Sequence, residues 1–426
     1  MNIAVVLCAI LIFLVPLAAA GLSLINTGLG RSRNAAHSMM TAICVMGIAA
    51  VVYCACGFAW QGFAGGATHS FSIHGKSWSW LAAERFFLRG VDFNGSPASL
   101  AVWLQMFSVG LAALIPLGAG ADRWRMNAIC LSTAVFAGWI YPLFAHWVWG
   151  GGWLAQLGAN YGLGRGFLDA GGTSTIHVVG GLTALSVAWL MGQRKGKYSA
   201  DGMPAAIPGH NAVFVLFGSM LALIGWTSLN SAGALLFAGA SLTRLPLIGT
   251  NTLLAASAAA LMAAVVTRVR FSKPDASLTA NGWVAGLVAS SAACAFVQPA
   301  AAMAIGAVAG ALTPFSVEWF EFGLKVDDPA GSISVHAVSG LWGILALAVF
   351  GDKDAIAPGQ GLAQIIGLAT LVGFVLPCTY GLNWVLNRIY PYRISADGER
   401  QGLDLHELGA DAYPDFVTHT EEYFPH

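Results

Sequence analysis

The chain has 426 residues and a formal net charge of zero, with 57% hydrophobic and only 9% charged residues. Soluble globular domains carry about 25% charged residues, so this composition excludes an ordinary soluble protein and favours a membrane protein. The 20 Lys and Arg are scattered along the chain, which excludes a basic face of the kind that binds nucleic acid.

Long apolar stretches recur along the whole chain. A hydrocarbon core about 30 Å thick needs roughly 20 apolar residues per spanning helix. A hydropathy window of about 19 residues predicts eleven such helices, and hence an all-α polytopic membrane protein. The predicted spans are 2–28, 36–60, 99–119, 126–147, 172–192, 212–232, 247–269, 278–296, 299–317, 334–350 and 361–388.

The two ends of the chain differ in character. The N-terminal apolar run has no basic residue before it and is longer than a signal-peptide core, so we expect a retained first helix. The alternative, a signal cleaved near residues 18–20, would leave a segment too short to span. Polar residues dominate at the C-terminus, which predicts a transmembrane domain over 1–388 and a tail over 389–426.

The basic residues are divided unequally between the two sets of predicted loops. Eleven helices put the termini on opposite sides, and 14 of the 20 Lys and Arg fall on the side of the C-terminus. The positive-inside rule then predicts an outer N-terminus and a cytoplasmic tail. We expect a multi-pass protein of the cell's inner (plasma) membrane, surrounded by the lipid bilayer.

One segment of the sequence occurs twice. Residues 169–182 and 328–341 share Asp, Gly, His, Val, Gly and Leu at six of 14 aligned positions, 159 residues apart. Five predicted helices separate the copies, so they enter the membrane from opposite faces. Inverted repeats of this kind are typical of transport folds, which bind their solutes near mid-membrane at the repeat interface.

The repeat places one histidine in each copy, His177 and His336. An ionisable side chain inside a membrane helix is costly unless it has a partner or lines a cavity. For a single histidine, the simpler interpretation is a neutral ring bonded to a neighbouring helix. Two histidines at equivalent positions of an inverted repeat instead favour a facing pair. Such a pair resists double protonation and can offer ring nitrogens to a small neutral solute.

An aspartate stands eight residues before each histidine, at Asp169 and Asp328. An Asp at a helix start usually caps free backbone amides, and we favour that role over direct contact with a substrate. Nearby, Trp149 lies in a glycine-rich stretch at the outer end of the fourth helix. Tryptophans there commonly anchor the helix in the headgroup region, but one above a vestibule can bind a small cation through its ring face.

No nucleophile elbow, phosphate loop or metal-binding motif is evident. The sequence therefore predicts no enzyme, no catalytic residue, no cofactor and no metal site.

These motifs resemble those of the ammonium transporter (Amt/Mep/Rh) superfamily over essentially the whole chain. AHWVWGGGW (145–153) followed by LDAGGTSTIHVVGG (168–181) is the most specific match. In family order and spacing, the others are AGLSLINTGLGRSRN (20–34), ADRWR (121–125), GWTSLNSAG (225–233), VDDPAGSISVHAVSG (326–340) and ERQGLDLHELGADAY (399–413).

The resemblance implies eleven helices, in two inverted five-helix halves plus one, assembled as a homotrimer with one pore per subunit. Trp149 would recruit ammonium at the outer mouth, Asp169 would support that site, and His177 with His336 would form the pore pair. The tail would contact neighbouring subunits and, as in many members, respond to a P-II-type signalling protein.

Three positions depart from the family pattern, which closes the outer pore with two phenylalanines. Alignment on Gln105 and ADRWR puts Ser108 at the first of them, with Phe107 about 100° away around the helix. Alignment on Trp226 puts Leu229 at the second. Gly233 replaces the serine that commonly helps hold ammonium. The entrance is then wider and wetter, or else Phe107 and Leu229 close it by shifted packing.

Our leading hypothesis is transport of ammonium or ammonia through a pore with two histidines. One alternative is an ammonium-binding sensor of the same fold with little or no conduction. The other is a channel for a different small neutral solute, such as carbon dioxide or methylamine.

Overall fold

The computed structural model describes residues 3–414, and long apolar helices dominate it. Within that part of the chain, ten helices are long and apolar enough to cross a membrane. One further helix, α8, is the eighth in chain order and is shorter than these ten. The main helices are α1 Ile3–Leu29, α2 Ser32–Gln61, α3 Pro97–Gly120, α4 Met126–Trp149, α5 Thr173–Met191, α6 Ala212–Phe237, α7 Leu242–Phe271, α8 Ala276–Ser291, α9 Pro299–Gly323, α10 Ile333–Phe350 and α11 Gln360–Ile389.

Helix α8 ends five residues before the predicted span 278–296 does. Its 16 residues measure about 24 Å, less than the roughly 30 Å of a hydrocarbon core. The next residues, 292–296, form buried turns. Such irregular backbone is tolerated at membrane depth only where protein surrounds it. Here the carbonyls of Ser291 and Ala292 accept hydrogen bonds from the amides of Gly171 and Ala170, so the end of α8 holds the segment that leads into α5.

The chain is mostly helical, as expected, with one short sheet among the described residues. The loop between α2 and α3 contains an antiparallel hairpin of β1 Thr68–Ile73 and β2 Lys76–Ala82. His74 and Gly75 join the strands with φ of +48° and +75°, the conformation of a type I′ turn. The hairpin lies over the end of α4, where the ring of Trp80 is 4.8 Å from that of Trp147. We call this the hairpin end of the bundle.

Small residues let several helices touch through their backbones. A Cβ added to Gly225 of α6 would lie 2.0 Å from the amide nitrogen of Ala18 in α1. A Cβ on Gly310 of α9 would lie 2.1 Å from the carbonyl oxygen of Ala259 in α7. Van der Waals packing at such crossings is a main source of helix association in lipid, where helices gain little from the hydrophobic effect.

At the opposite end, the tail end, a buried charge cluster joins three loops. The guanidinium of Arg194, after α5, donates to both carboxylate oxygens of Asp327 at 2.9 and 3.0 Å and to Asp122 at 2.8 Å. All three side chains are at most 3% exposed. Burial opposes ionisation of Asp122 and Asp327, but the neighbouring arginines outweigh it, so both carboxyl pKa values lie below their usual range.

The chain beyond α11 folds back against the tail end. Asp404 accepts hydrogen bonds from the amides of Ala36 and His37 in α2, the first at 3.1 Å and the second at 2.7 Å. Glu407 accepts from the amide of Met126 at the start of α4 and pairs with His37 Nε2 at 2.7 Å. The tail thus caps two long helices. Residues 415–426 of the predicted tail lie outside the described residues.

We expect Arg194→Ala to destabilise the protein strongly. The substitution leaves two buried carboxylates without their main partner, a change that costs about 3–5 kcal/mol. Thermal unfolding in detergent, followed by circular dichroism, measures it. Lys195→Ala is the matched control, since that neighbouring side chain is exposed. Equal unfolding temperatures for the two variants would contradict the stabilising role of the cluster.

Candidate functional site

The start of α5 is organised by Asp169, which is buried. Its Oδ1 accepts from the amides of Gly172 and Thr173, both at 2.8 Å, and its Oδ2 from the amides of Ser174 and Thr175 at 2.8 and 3.1 Å. Gly172 has φ of +98°, which a side chain would strain. Four amides at a helix start are the donors that have no partner within the helix. The carboxylate of Asp169 therefore acts as a helix cap.

His177 follows within the first turns of α5, and His336 occupies the corresponding part of α10. Both lie in π-helical turns, Thr173–Val178 and Ile333–Val338. Their rings are buried, with centroids 5.4 Å apart and planes inclined by 31°. Each is preceded by an aspartate bonded to backbone amides and by a glycine of positive φ, Gly172 or Gly331.

A tryptophan of α6 completes this group. The ring of Trp226 stacks on His177 with centroids 4.9 Å apart and planes 14° from parallel, and it lies 6.4 Å from His336. Trp226 is fully buried. Trp226 was not predicted from the sequence as part of the site, where it served only to align α6. The available signal was its position one turn before Leu229, a proposed gate residue.

The nitrogens of these rings are largely unpaired. Both ring nitrogens of His177, Nδ1 of His336 and Nε1 of Trp226 are buried without a hydrogen-bond partner among residues 3–414. Leaving one buried polar group unsatisfied costs about 1–3 kcal/mol, so a cluster of them calls for an explanation. Neutral imidazoles can donate or accept, whereas the indole only donates. The cluster can therefore hydrogen-bond a small solute that both donates and accepts.

Asp328 differs from Asp169 in its bonding. Its Oδ2 accepts from the amide of Ile333 at 2.7 Å, whereas its buried Oδ1 has no partner among the described residues. It lines a cavity of about 520 Å³ at the tail end, together with Asp327, Ser334 and Phe320. Burial raises the pKa of the Asp328 carboxyl to about 6. This carboxyl therefore caps α10 only in part.

The Trp149 ring is held from two sides. Its Nε1 donates to the carbonyl of Asp169 at 2.7 Å, and its ring lies flat against Phe237, with centroids 4.5 Å apart and planes 13° from parallel. It is 5% exposed. Trp149 and Asp169, the two residues expected to form the recruitment site, are thus adjacent, and one face of the indole is covered.

The positions of the expected gate are occupied as follows. Ser108 is fully buried, and its hydroxyl donates to the carbonyl of Leu104, one turn back in α3, at 2.9 Å. Phe107 is partly exposed and packs near Trp103. Leu229 is 1% exposed.

Gly233 is tightly enclosed. A Cβ there would lie 2.4 Å from the carbonyl oxygen of Ala170, so a serine does not fit without a shift of the backbone.

Among residues 3–414, no three His, Cys, Asp or Glu are grouped as a metal site requires. The fold, with its long apolar helices and buried polar rings, is that of a multi-pass membrane protein.

Comparison with known proteins gives the family. A family model described as Ammonium Transporter Family matches residues 4–413, and the chain belongs to that family, whose members are transporters rather than enzymes. It is 35% identical to ammonium transporter Amt2 of Archaeoglobus fulgidus, over 96% of this chain and 88% of that protein. It is 31% identical to an ammonium transporter of Bacillus subtilis, over 96% and 97% of the two chains.

Solved structures agree with the fold. One described as a sensor Amt protein superimposes with a TM-score of 0.86 at 27% identity, covering 95% of this chain and 98% of that one. Mep2 of Candida albicans superimposes with a TM-score of 0.79 at 22% identity, covering 98% and 92%.

We expect Asp328→Asn to change how stability depends on pH. Between pH 3.8 and about 6 the folded protein keeps a proton that the unfolded chain has released, so stability falls as pH rises through that window and is constant above it. The asparagine variant lacks this loss and should be more stable above pH 6 by up to about 3 kcal/mol. Unfolding temperatures at pH 4–8 measure the difference. A difference between Asp328→Asn and the unmodified protein that does not depend on pH would refute it.

Proposed function

We propose that this chain transports ammonium or ammonia across the membrane through its own pore, lined by His177 and His336. The observation that carries the proposal is the buried group of unpaired ring nitrogens formed by those residues with Trp226. Ammonia both donates and accepts hydrogen bonds and is small enough for such a space. Family membership and the named relatives supply the solute.

The proposed sequence begins at Trp149, where an ammonium ion is recruited with Asp169 holding the indole. The ion gives its proton to water at the outer mouth, because the drier site beyond it favours the neutral form of an amine. Ammonia then passes His177 and His336. Two facing imidazoles suit a neutral solute, since a second positive charge beside a protonated ring is disfavoured.

The architecture proposed for this function is that of the family pattern. It has eleven spans, with α8 and the buried turns after it as the eighth, in two inverted halves of five plus one. The N-terminus lies outside and the tail in the cytoplasm, so the hairpin end is outer. The recurrence of an aspartate cap, a positive-φ glycine and a π-helical histidine in α5 and α10 supports the inverted repeat.

We propose a homotrimer with one pore per subunit, embedded in the plasma membrane. The tail region from 389 onward serves regulation, and a P-II-type signalling protein is a candidate partner. Docking of Asp404 and Glu407 onto helix starts supports this, because release of the tail would uncover those starts.

A second candidate function is sensing: ammonium binds, but little is conducted. Two observations favour it. The expected outer aromatic pair is replaced by Ser108 and Leu229, and a protein described as a sensor Amt protein has a closely similar structure.

We expect His177→Gln and His336→Gln each to reduce ammonium-dependent flux. Loss of one ring removes a hydrogen bond to the solute, worth about 1–1.5 kcal/mol, so flux should fall about tenfold. Uptake and current in proteoliposomes containing equal amounts of folded protein measure it. His146→Gln is the matched control. His146 is equally buried, but both of its ring nitrogens have partners, Ser79 Oγ and the carbonyl of Gln61. Equal flux in all three variants would contradict the proposed role of His177 and His336 in the pore.

Transport and sensing predict different results when binding and flux are measured on one preparation. A transporter shows saturable ammonium-dependent flux. A sensor shows saturable heat on titration with ammonium, but a flux equal to that of empty liposomes. The fluxes of methylammonium and carbon dioxide, measured in the same vesicles, distinguish an ammonium transporter from a channel for another solute. Absence of both binding and flux in correctly assembled protein would refute both functions.

A further inference from the structure

The ring of Phe237 lies on the tryptophan that the proposed function uses for recruitment. Phe237 is the last residue of α6, and its ring is stacked on Trp149 with centroids 4.5 Å apart. It also neighbours Phe63 of the loop after α2, with centroids 6.5 Å apart. Phe237 is partly exposed, whereas Trp149 is buried. The phenylalanine is thus the outermost layer of this stack.

The position of Phe237 follows from the glycine one turn earlier. Leu229, Gly233 and Phe237 are spaced by four residues and share one face of α6. Because Gly233 has no side chain, that face approaches the carbonyl of Ala170 closely. The preceding carbonyl, that of Asp169, holds the Trp149 indole. The same backbone segment therefore fixes both the helix face and the tryptophan.

An ammonium ion cannot occupy the covered ring face while Phe237 is stacked there. A cation held by an aromatic ring sits above its face, in van der Waals contact with it. Two rings with an ion between them need a separation of about 7 Å, twice a contact distance of roughly 3.5 Å. The observed 4.5 Å leaves no such space. Recruitment on this face requires the Phe237 ring to move away.

The motion needed is a side-chain rotation rather than a shift of the helix. The carbonyl of Ala238, the next residue, accepts a hydrogen bond from Arg165 at 2.9 Å, and its amide donates to Ala234. The backbone at the helix end is therefore held in place. Side-chain rotation at a partly exposed position is fast, on a scale of picoseconds to nanoseconds.

We propose that Phe237 is the outer gate of this pore. Its ring closes one face of Trp149, and so takes over the role of the aromatic pair missing at Ser108 and Leu229, about two helical turns further out than Leu229 on α6. The gate opens when an ammonium ion replaces the phenylalanine ring on the indole. This inference rests on the proposed function, because it assumes that Trp149 recruits the ion.

The gate predicts a gain in apparent affinity when the ring is removed. Opening the gate breaks an aromatic stack, so the gate is closed most of the time. The apparent affinity for ammonium is then reduced in proportion to the fraction of protein in which the gate is open. Phe237→Ala should therefore lower the half-saturating ammonium concentration about twofold to tenfold. It should also raise the methylammonium flux relative to ammonium, since the larger cation gains more from an open face. Phe237→Tyr keeps the ring and should behave as the unmodified protein.

The experiment measures half-saturation by flux and by titration calorimetry, with Phe63→Ala as the matched control. Phe63 belongs to the same aromatic group but does not stack on Trp149. If unmodified protein and Phe237→Ala show neither flux nor binding, the proposed function fails. If ammonium acts on the unmodified protein, but Phe237→Ala has the same or a higher half-saturating concentration, the gate is overturned and transport or sensing stands. A higher value would mean that Phe237 only supports the tryptophan.

A second readout does not depend on conduction. Phe237→Cys places a thiol beside Trp149, which a membrane-impermeant cationic thiol reagent can label. If methylammonium binds on that face of the indole, it should slow the labelling of the thiol severalfold. Trp149→Ala in the same chain should abolish this protection. Protection that persists without the indole, or none at all while flux is normal, places recruitment elsewhere and overturns the gate.

Discussion

The structure depends above all on one constraint: inside a bilayer, polar groups must find their partners within the protein. Ser108 bonds its own helix, and the Asn251 amide donates to the carbonyls of Cys294 and Val297. Asp169 uses both carboxylate oxygens on amides. Among the described residues, His177 alone has two buried side-chain polar atoms without partners. A residue that violates so costly a rule marks the place where a solute can satisfy it.

Buried charges follow the same constraint, because they are paired with opposite charges within the protein. Arg194 is buried at the tail end, where it forms ion pairs with Asp122 and Asp327. The ring stack of His177, Trp226 and His336 contains no such counterion. A cation moving past the rings would therefore lose its hydration without gaining a partner of opposite charge, a loss that costs far more than the transfer of a neutral molecule. The proposed deprotonation before the histidines follows from this asymmetry.

Some of the molecule could be predicted from its sequence, for identifiable reasons. The long helices could be predicted from the apolar stretches alone, because hydropathy is a local property of the sequence. The role of Asp169 could also be predicted, because a cap bonds amides only a few residues away. The end of α8 at Ser291 could not be foreseen, since apolar composition continues through residues that form turns. The stack of Trp226 on His177 and that of Phe237 on Trp149 depend on how α6 packs against distant segments. The close approach of α6 to the carbonyl of Ala170 at Gly233 belongs to the same packing, and no local pattern in the sequence predicts it.

Two aromatic rings of α6 stack on site residues, one on each side of Leu229 along the helix. Leu229 stands between Trp226, which stacks on His177, and Phe237, which stacks on Trp149. A ring at the outer end shields the indole from water, and a ring at the inner end faces the imidazoles. Such an arrangement can serve either transport or sensing. What separates the two is the free energy needed to lift the outer ring relative to the free energy of holding the ion. If lifting is easy and holding weak, solute passes; if holding dominates, the protein remains loaded and signals.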